Sequence, residues 1–324
     1  MQAWHRRLVF DPVPPLVEAE NAAISYFARR DLLDDAVPSA RSLWELNEVK
    51  TLLRKQKDDG SWRYRGARRA HARSGDDYDQ LETYRIVGQL VEKFGMTRDH
   101  SAVRRAAEYL VLHQTDEGDF RGIYGTQYSP NYSAGIMELL IKAGYARDQR
   151  IARGFEWLLD VRQRDGGWAI PLRTVGAKLN PPTMNGATAQ PDRSKPFSHL
   201  VTGVVLRAFA AHEQYRASLA ARNAGALLAS RLFRRDVYPD RGAADFWTKF
   251  SYPFWFTDIL SSLDSLSRLR FDREDAAINQ ALDWLVARQR PNGVWELQML
   301  KTADKALPLW LSLATCRVVK RFYV

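Results

Sequence analysis

The sequence has little cysteine and no long hydrophobic run. Cys316 is the only cysteine among 324 residues, so an intramolecular disulfide cannot form. No stretch approaches the roughly 18 consecutive apolar residues that span a bilayer, and the first residues include no apolar segment of the kind found in secretion signals. These absences predict a cytoplasmic protein.

Motifs for metal ions, nucleotides and nucleic acids are also missing. The sequence has no cysteines and histidines at zinc-finger spacing, no Asp-Asp-x-x-Asp magnesium motif and no glycine-rich nucleotide loop. We therefore predict no metal ion and no cofactor.

The net charge of +10 favours an anionic partner or a peripheral membrane contact, but the basic residues are spread along the chain without a nucleic acid-binding motif. The sequence thus predicts no nucleic acid partner and indicates no particular oligomeric state.

One short segment recurs along the chain and reads Gln, a few polar residues, Gly, any residue, aromatic. Complete copies occupy residues 56–62, 114–120, 163–168 and 289–295, and a degenerate copy occupies 245–247. Each complete copy closes a stretch with helical periodicity, and its glycine marks a reversal of the chain. A second helix must therefore run back after each turn.

This repeat predicts an all-α protein built from helical hairpins. The predicted outer helices are 41–57, 99–114, 148–164, 216–234 and 273–290. The predicted inner helices, which are more apolar, are 15–34, 77–94, 130–144, 197–213, 254–270 and 303–320. Six inner helices with five outer ones suggest a ring closed by the N-terminal segment, and hence a single domain over residues 1–324.

The repeats resemble the QW repeat of squalene and oxidosqualene cyclases, most closely in the segments Arg153 to Trp168 and Ala281 to Trp295. The resemblance covers about residues 40 to 320. It implies an α/α toroid of the terpene cyclase and protein prenyltransferase type, with five to six hairpins in a closed ring around a central cavity. Because this fold also hosts complement-type domains and some polysaccharide lyases, the resemblance is less specific for activity. The zinc ligands of prenyltransferase subunits are absent around Cys316.

A candidate acid motif, Asp77-Tyr78-Asp79-Gln80, lies at the start of an inner helix. It resembles the Asp-x-Asp-Asp motif of class II terpene cyclases, with Gln80 in place of the last Asp. The resemblance implies that Asp79 protonates an alkene or epoxide, supported by Asp77 and Gln80. A neighbouring carboxylate would help retain the proton, and the helix N-terminus would stabilise the anion left behind. Simple N-capping of the helix is the alternative interpretation.

Two loops before inner helices carry candidate binding residues. The first has the hydrogen-bonding aromatic composition of a ligand-facing surface, although packing of the loop is an equal alternative. Its candidates are Arg121, Tyr124, Tyr128, Asn131 and Tyr132. In the second loop, Arg193 and Lys195 could hold a diphosphate or carboxylate, and His199 could act as a base or serve only as a buried polar residue.

An aromatic segment, residues 246–256, could line a cavity for an apolar substrate, or could simply fill a large core. Its candidate substrate-binding residues are Trp247, Lys249 and Trp255, together with Trp310 further along the chain. Asp258 follows this segment and would need a partner if buried, so we include it among the candidate catalytic residues.

Three functions fit these observations. The first is a terpene cyclase-like enzyme that protonates an isoprenoid from Asp79 in a central cavity. The second is a polysaccharide lyase-like enzyme in which Arg121 and Asn131 neutralise an acidic sugar while His199 or Tyr132 exchanges protons. The third is a non-catalytic toroid that binds a ligand or a protein partner.

Overall fold

A computed structural model describes residues 3–66, 74–300 and 304–324. Within these residues the regular elements are helices, and extended backbone pairs only in isolated bridges. The prediction of an all-α protein is therefore confirmed. The chain divides into two compact units, which we call unit A (residues 40–224) and unit B (residues 1–39 and 225–324).

The described residues form fourteen α-helices. In chain order they are α1 (Val13–Val17), α2 (Ala22–Leu32), α3 (Asn47–Leu53), α4 (Gly75–Phe94), α5 (Ser101–Val111), α6 (Pro130–Leu140), α7 (Gln149–Asp160), α8 (Pro171–Thr174), α9 (Pro181–Met184), α10 (His199–Ala211), α11 (Leu219–Ala229), α12 (Ile259–Arg268), α13 (Ala276–Val286) and α14 (Leu307–Tyr323). None of these helices combines the length and the hydrophobicity needed to cross a bilayer.

Some predicted helices are shorter than expected, and capping residues explain where they begin. The predicted helix 15–34 is two helices, because the Asn21 side chain accepts hydrogen bonds from Ala23 N and Ile24 N and so starts α2 afresh. The predicted helix 41–57 is a 3-10 turn, Ala40–Glu45, followed by α3. The predicted helix 254–270 begins only after its cap, Asp258.

In unit A the three inner helices lie side by side, with α6 packed against α4 on one side and α10 on the other. The outer helices α3 and α5 pack on α4, and α7 packs on α6. Almost every residue of α6 and α10 is buried, whereas α5 and α7 bury one face. This difference is expected for helices that are covered on several sides rather than one.

In the first two complete turns, the glutamine side chain joins its own turn to the next outer helix. Gln114 Nε2 donates to Gly118 O at 2.9 Å and to Arg150 O, in the first turn of α7, at 2.8 Å. Gln56 makes the same two bonds to Gly60 O and to Ala102 O in α5. The glutamine thus joins successive repeats as well as closing its own turn.

The aromatic residue of each complete turn is held by hydrogen bonds, two for each tryptophan and one for Phe120. In the three tryptophan-containing turns the indole N–H donates to a carbonyl ten residues earlier, at the end of the outer helix, as from Trp168 to Leu158 O at 2.6 Å. The backbone N–H of each aromatic residue donates to a hydroxyl group of the following inner helix. The four hydroxyl acceptors are Thr83, Ser133, Thr202 and Ser312.

In unit B, α14 packs on α1, α2 and α12. Gln289 Nε2 donates to Gly293 O at 3.0 Å and to Phe10 O at 2.7 Å. The N-terminal segment therefore takes the place at this turn that a following outer helix takes in unit A. At the degenerate copy, the Trp247 indole donates to Arg234 O, thirteen residues earlier, at 2.7 Å.

Candidate functional site

The acid motif lies at the start of α4, and Asp77 takes part in capping this helix, whose N-cap residue is Ser74. Asp77 Oδ2 accepts from Ser74 N at 2.9 Å, and Ser74 Oγ accepts from Asp77 N at 3.1 Å. These reciprocal bonds form a capping box. The capping interpretation accounts for Asp77, whose side chain is only partly buried.

Asp79 is buried, with 7% of its surface exposed. Its Oδ1 accepts from Tyr64 N at 2.9 Å, and its Oδ2 lies 3.4 Å from Lys57 Nζ. The pKa of Lys57 is raised, chiefly by its bond to Asp59 and to a smaller degree by Asp79. The Asp79 side chain therefore ties the first repeat turn to α4 through contacts with two donors.

A second carboxyl group, Glu82, follows three residues later on α4, and its pKa is raised by partial burial against the opposing effect of Arg85. A raised pKa keeps a carboxylic acid protonated to higher pH, which is the property a proton donor needs. The sequence reasoning missed Glu82 because nothing local distinguishes it from any other helix-surface glutamate.

Gln80, which replaces the last aspartate of the motif, is fully buried and holds the tyrosine-rich loop. Its Nε2 donates to Arg121 O at 2.8 Å, whereas its Oε1 has no donor among the described residues. A Cβ at Gly122 would lie 2.3 Å from this Oε1 and 2.9 Å from Asp77 Oδ1. Only glycine fits there, so the loop backbone packs directly on the acid motif.

The same loop contains a tight turn that brings two of the predicted tyrosines together. Gly122 N donates to Gly125 O, and Gly125 N donates to Gly122 O at 2.7 Å. Tyr124, inside this turn, meets Tyr132 of α6 edge to face, with 5.2 Å between the ring centroids. Tyr132 in turn meets Tyr84 of α4 at 6.2 Å. Three tyrosine rings thus form a continuous series, which we call the tyrosine series.

The tyrosine series ends at a buried group of charges on the inner helices. Burial raises the pKa of Tyr84, and the nearby Arg207 of α10 acts in the opposite direction. Arg207 Nε lies 2.9 Å from Glu138 Oε2 of α6, and Lys142 Nζ lies 2.7 Å from Glu138 Oε1. Lys142 also contacts Glu92 of α4. Two cations and two carboxylates therefore balance one another among α4, α6 and α10.

Arg207, Glu138 and Tyr84 were missed by the sequence reasoning, although a signal was present for two of them. Arg207 is the only charged residue of α10, and Glu138 is the only charged residue of α6. A single charge in an otherwise apolar helix must find a partner when it is buried. Pairing these two residues would have pointed to contact between the helices that carry them.

Arg121 is occupied by carboxylates of its own repeat turn. Its Nε lies 2.5 Å from Asp119 Oδ2, and its Nη2 lies 3.5 Å from Glu117 Oε1. The guanidinium also lies over the ring of Tyr128, 4.5 Å from the centroid. Its charge is thus neutralised within the loop, leaving no clear means of binding an anionic sugar.

Tyr128 and Asn131 are held locally, apart from the tyrosine series. The Tyr128 hydroxyl donates to Glu117 and accepts from Gln190 Nε2 at 3.3 Å. Asn131 lies in the first turn of α6, and Ser129 lies just before this helix. The Asn131 Oδ1 accepts a hydrogen bond from Ser129 Oγ at 3.1 Å. These contacts fit the alternative in which the loop packs on its own helices.

The predicted basic group near α10 consists of residues with separate roles. His199 is buried, at 3% exposure, in the first position of α10. Arg193 Nε donates to Arg162 O at 2.8 Å, and Lys195 Nζ lies 4.0 Å from Asp192 Oδ2. Arg193 also lines a groove of about 510 Å³ whose other charged residues are Glu117, Glu156 and Asp160. The groove is therefore mainly acidic.

Two predicted aromatic wall residues of unit B lie in its core. Trp247 and Trp310 are each 1% exposed. Trp310 stacks on Tyr252 with 5.4 Å between ring centroids and 12° between ring planes. Arg317 Nη1 donates to the Tyr252 hydroxyl at 3.2 Å. Trp255 is partly exposed, and its ring lies 6.1 Å from that of Phe256.

Asp258 and Lys249 have structural partners in unit B. Asp258 Oδ1 accepts from Ser261 N at 2.7 Å, and Asp258 N donates to Ser261 Oγ at 2.9 Å, which makes a second capping box. Lys249 pairs with Asp245 one helical turn earlier. These contacts supply the partner that a buried Asp258 was expected to need.

Within the described parts of the chain, no group of three or more His, Cys, Asp or Glu side chains could hold a metal ion. The candidate chemical groups of unit A include its carboxyl groups, its tyrosine rings and the Arg207–Glu138 pair.

Comparison with known proteins supports the resemblance over part of unit A. Residues 77–189 match the family model of the squalene-hopene cyclase C-terminal domain. This match covers about a third of the chain, begins at Asp77 and includes the whole tyrosine-rich loop. No curated protein is significantly similar to the sequence.

Several solved structures are distantly similar. A protein from Actinoplanes is 18% identical, with 88% of each chain covered and a TM-score of 0.41. A variant of the type II terpene cyclase MstE from Scytonema is 16% identical, with 96% of this chain and 97% of that chain covered and a TM-score of 0.43. Another MstE variant, in complex with its substrate geranylgeranyl dihydroxybenzoate, is 15% identical, with 88% and 96% covered and a TM-score of 0.36.

Proposed function

We propose that this chain is a terpene cyclase-like enzyme that protonates an isoprenoid from a carboxyl group of α4, with Asp79 as the donor. The observation that carries the proposal is the direct packing of the tyrosine-rich loop on the acid motif through Gln80 and Gly122. Both features lie within the segment that matches the squalene-hopene cyclase domain.

In the proposed reaction, the Asp79 carboxyl group gives its proton to one carbon of an alkene. The π electrons of the double bond form the new C–H bond, and the other carbon becomes a carbocation. Tyrosine ring faces attract positive charge, so Tyr124, Tyr132 and Tyr84 would stabilise such a cation. The carboxylate left behind would be stabilised by the first turn of α4.

The ion pair with Lys57 is the feature that this reaction must overcome. Asp79 can donate a proton only when it carries one, and Lys57 Nζ lies 3.4 Å from its Oδ2. Lys57 also bonds Asp59, at 3.1 Å, and its side chain is 43% exposed. We infer that Lys57 turns to Asp59 when Asp79 is protonated.

The sugar lyase alternative has no supporting observation within the described residues. Its neutralising residue, Arg121, is already paired with Asp119 and Glu117. A uronate would have to displace a carboxylate that is fully buried beside the guanidinium, since Asp119 is 0% exposed. We therefore do not propose this activity.

The test is product formation from a panel of isoprenoids, with and without a diphosphate group, analysed by mass spectrometry. Asp79→Asn cannot donate a proton and should lower turnover by about 100-fold or more. Glu82→Gln separates the two possible donors, because it should leave turnover nearly unchanged if Asp79 is the acid.

Asp116→Asn is the matched control, since Asp116 is an exposed aspartate of the second turn without a bond to the described residues. It should behave as the unmodified protein does. Full activity in Asp79→Asn with loss in Glu82→Gln would transfer the donor role to Glu82. Equal turnover in all these variants, or none in the unmodified protein with any substrate, would favour a non-catalytic binding protein.

A further inference from the structure

Unit B contains a groove that none of the preceding functions uses. Its volume is about 460 Å³, and it lies at the C-terminal end of α13. One wall is formed where residues 248–250 pair with residues 298–300, since Phe250 N donates to Gln298 O at 2.9 Å and Leu300 N donates to Phe250 O at 2.8 Å. Side chains that line it include Thr248, Trp284, Arg288, Arg290, Glu296 and Gln298.

Arg288 is the central charge of this groove. Its guanidinium lies over the Trp284 ring, 3.6 Å from the centroid, and its Nη1 donates to Trp284 O at 3.1 Å. Stacking on an aromatic ring fixes the guanidinium plane and leaves its edges available for hydrogen bonds. Desolvation lowers the pKa of Arg288, yet an arginine remains a cation at neutral pH.

The remaining donors of Arg288 have no acceptor in the described residues, and no carboxylate there forms an ion pair with it. The bond to Trp284 O explains why an arginine suits the end of α13, because cations are favourable at a helix C-terminus. That role uses only one of five N–H groups. A fixed, solvated guanidinium with free edges is the usual arrangement for recognising phosphate.

The groups next to Arg288 supply a further hydrogen-bond donor without neutralising the charge of its guanidinium. Arg290 Nη2 lies 3.1 Å from Glu296 Oε2, so these two charges balance each other. The Gln298 amide is exposed and has no side-chain hydrogen bond among the described residues. Arg288 therefore leaves the groove with a net positive charge and at least one neutral donor.

The groove of unit A beside Trp157 provides an internal comparison. Trp157 and Trp284 occupy the same place in their repeats, and Val161 stands four residues after Trp157 where Arg288 stands four after Trp284. Three carboxylates line the unit A groove against the single cation of Arg193. The two grooves thus lie beside corresponding tryptophans of their repeats but have net charges of opposite sign.

We propose that the groove beside Trp284 in unit B is a binding site for a phosphate group, held by the free edge of the Arg288 guanidinium. The ligand is a phosphate or diphosphate, whose source is either a small soluble molecule or a lipid headgroup. This site is independent of the proposed cyclase reaction in unit A.

Calorimetric titration of the purified chain with inorganic pyrophosphate tests the soluble source. Titration with vesicles of phosphatidylcholine, with or without phosphatidic acid, tests the lipid source. Arg288→Gln should weaken binding at least about tenfold, and Arg288→Lys should weaken it less, because lysine retains the charge but loses the fork. Arg235→Gln, an exposed arginine of the same unit without a side-chain partner in the described residues, is the matched control and should bind normally.

Circular dichroism melting of each variant without ligand shows whether it is folded. Binding of pyrophosphate that Arg288→Gln abolishes supports the site with a soluble ligand. Binding only to phosphatidic acid vesicles, again lost in Arg288→Gln, supports it with a lipid headgroup. No binding in either titration, or equal binding by folded Arg288→Gln and Arg235→Gln, overturns the proposal.

Discussion

The turn at 289–295 and the segment around Trp247 both precede an inner helix of unit B, yet they are held differently. Gln289 makes four hydrogen bonds, accepting from Val9 N and Phe10 N and donating to Phe10 O and Gly293 O. The segment around Trp247 has no glutamine at this place. It retains the repeat's indole bond to the preceding outer segment.

The hydroxyl groups of the two inner helices differ in the same way. Ser312 Oγ of α14 accepts from Trp295 N at 2.9 Å. Ser262 is the fourth residue of α12, as Ser133 and Thr202 are of α6 and α10, but its buried Oγ has no partner in the described residues. The comparison indicates that the degenerate copy retains the indole bond of its tryptophan. It lacks the glutamine, and its helix hydroxyl, Ser262 Oγ, has no partner in the described residues.

The largest expected effect concerns the glycine of a complete turn. Gly118 has a φ of +105°, and a Cβ there would lie 2.5 Å from Arg153 O of α7. Gly118→Ala should lower the free energy of unfolding by about 3 kcal/mol or more, because strain and overlap act together. Urea denaturation measures the loss.

Gly176→Ala is the control for that change. Gly176 has a φ of +76° but nothing within 4 Å of a Cβ, so alanine should cost only about 1 kcal/mol there. Equal losses at the two positions would show that backbone strain, and not contact with the next repeat, makes glycine necessary in the turn.

The next effect compares two glutamines. Gln289→Ala removes four hydrogen bonds and should cost about 2 to 3 kcal/mol. Gln163 makes two, to Asp192 O and Lys195 O, while its Oε1 has no partner among the described residues. Gln163→Ala should therefore cost about 1 to 2 kcal/mol. The ranking in urea denaturation is the result to check, and the reverse order would contradict it.

A smaller effect separates the two serines. Ser312→Ala leaves the buried Trp295 N–H without its acceptor and should cost about 1 to 2 kcal/mol. Ser262→Ala removes a hydroxyl that has no partner in the described residues, so stability should stay the same or rise slightly. Thermal melts of both variants test this, and a clear loss in Ser262→Ala would reveal a bond at the degenerate copy.

The smallest effect is a pH dependence within the turns. Burial acts to raise the pKa of Asp59, but bonds from Ser61 and Lys57 outweigh it and lower the pKa. A lowered pKa in the folded state gives stability that is present above the unfolded pKa and is lost as the pH falls through the folded one. Asn292 accepts the matching bond, from Val294 N at 3.2 Å, without titrating.

Asp59→Asn should therefore reduce the fall in melting temperature between about pH 7 and pH 3, and Asn292→Asp should increase it. The change is small because Asp59 is nearly half exposed and water screens its charge. Unchanged pH profiles in both variants would show that the turn carboxylate contributes nothing to acid stability.

The repeat turns were predictable because their chemistry is local. Bridges between Gln56 and Trp62, Gln114 and Phe120, and Gln289 and Trp295 close three of the turns at the predicted residues. The spacing of glutamine, glycine and aromatic residue encodes this geometry within seven residues. The helix starts were less predictable, because side chains such as Asn21 and Asp258 decide them.

The candidate site was predictable only in part. Tyr124 and Tyr132 are only eight positions apart in the chain, and their contact was within reach of sequence reasoning. Tyr84 lies on a different helix, and the charge that pairs with Arg207 lies 69 positions earlier in the chain, at Glu138. Local composition does not encode such partners, because helix packing chooses them.

The sequence alone was enough to predict the all-helical class, the positions of the repeat turns and the resemblance to the squalene cyclase repeats over about residues 40 to 320, of which residues 77–189 match the family model. Each of these depends on periodicity or on turn chemistry within a few residues. The tertiary structure was needed to show that Asp77 completes a capping box with Ser74, that Asp258 caps α12, that Arg121 is already paired, and that Arg207 and Glu138 meet. These outcomes depend on which distant groups are brought within hydrogen-bond distance when burial forces every charge to find a partner.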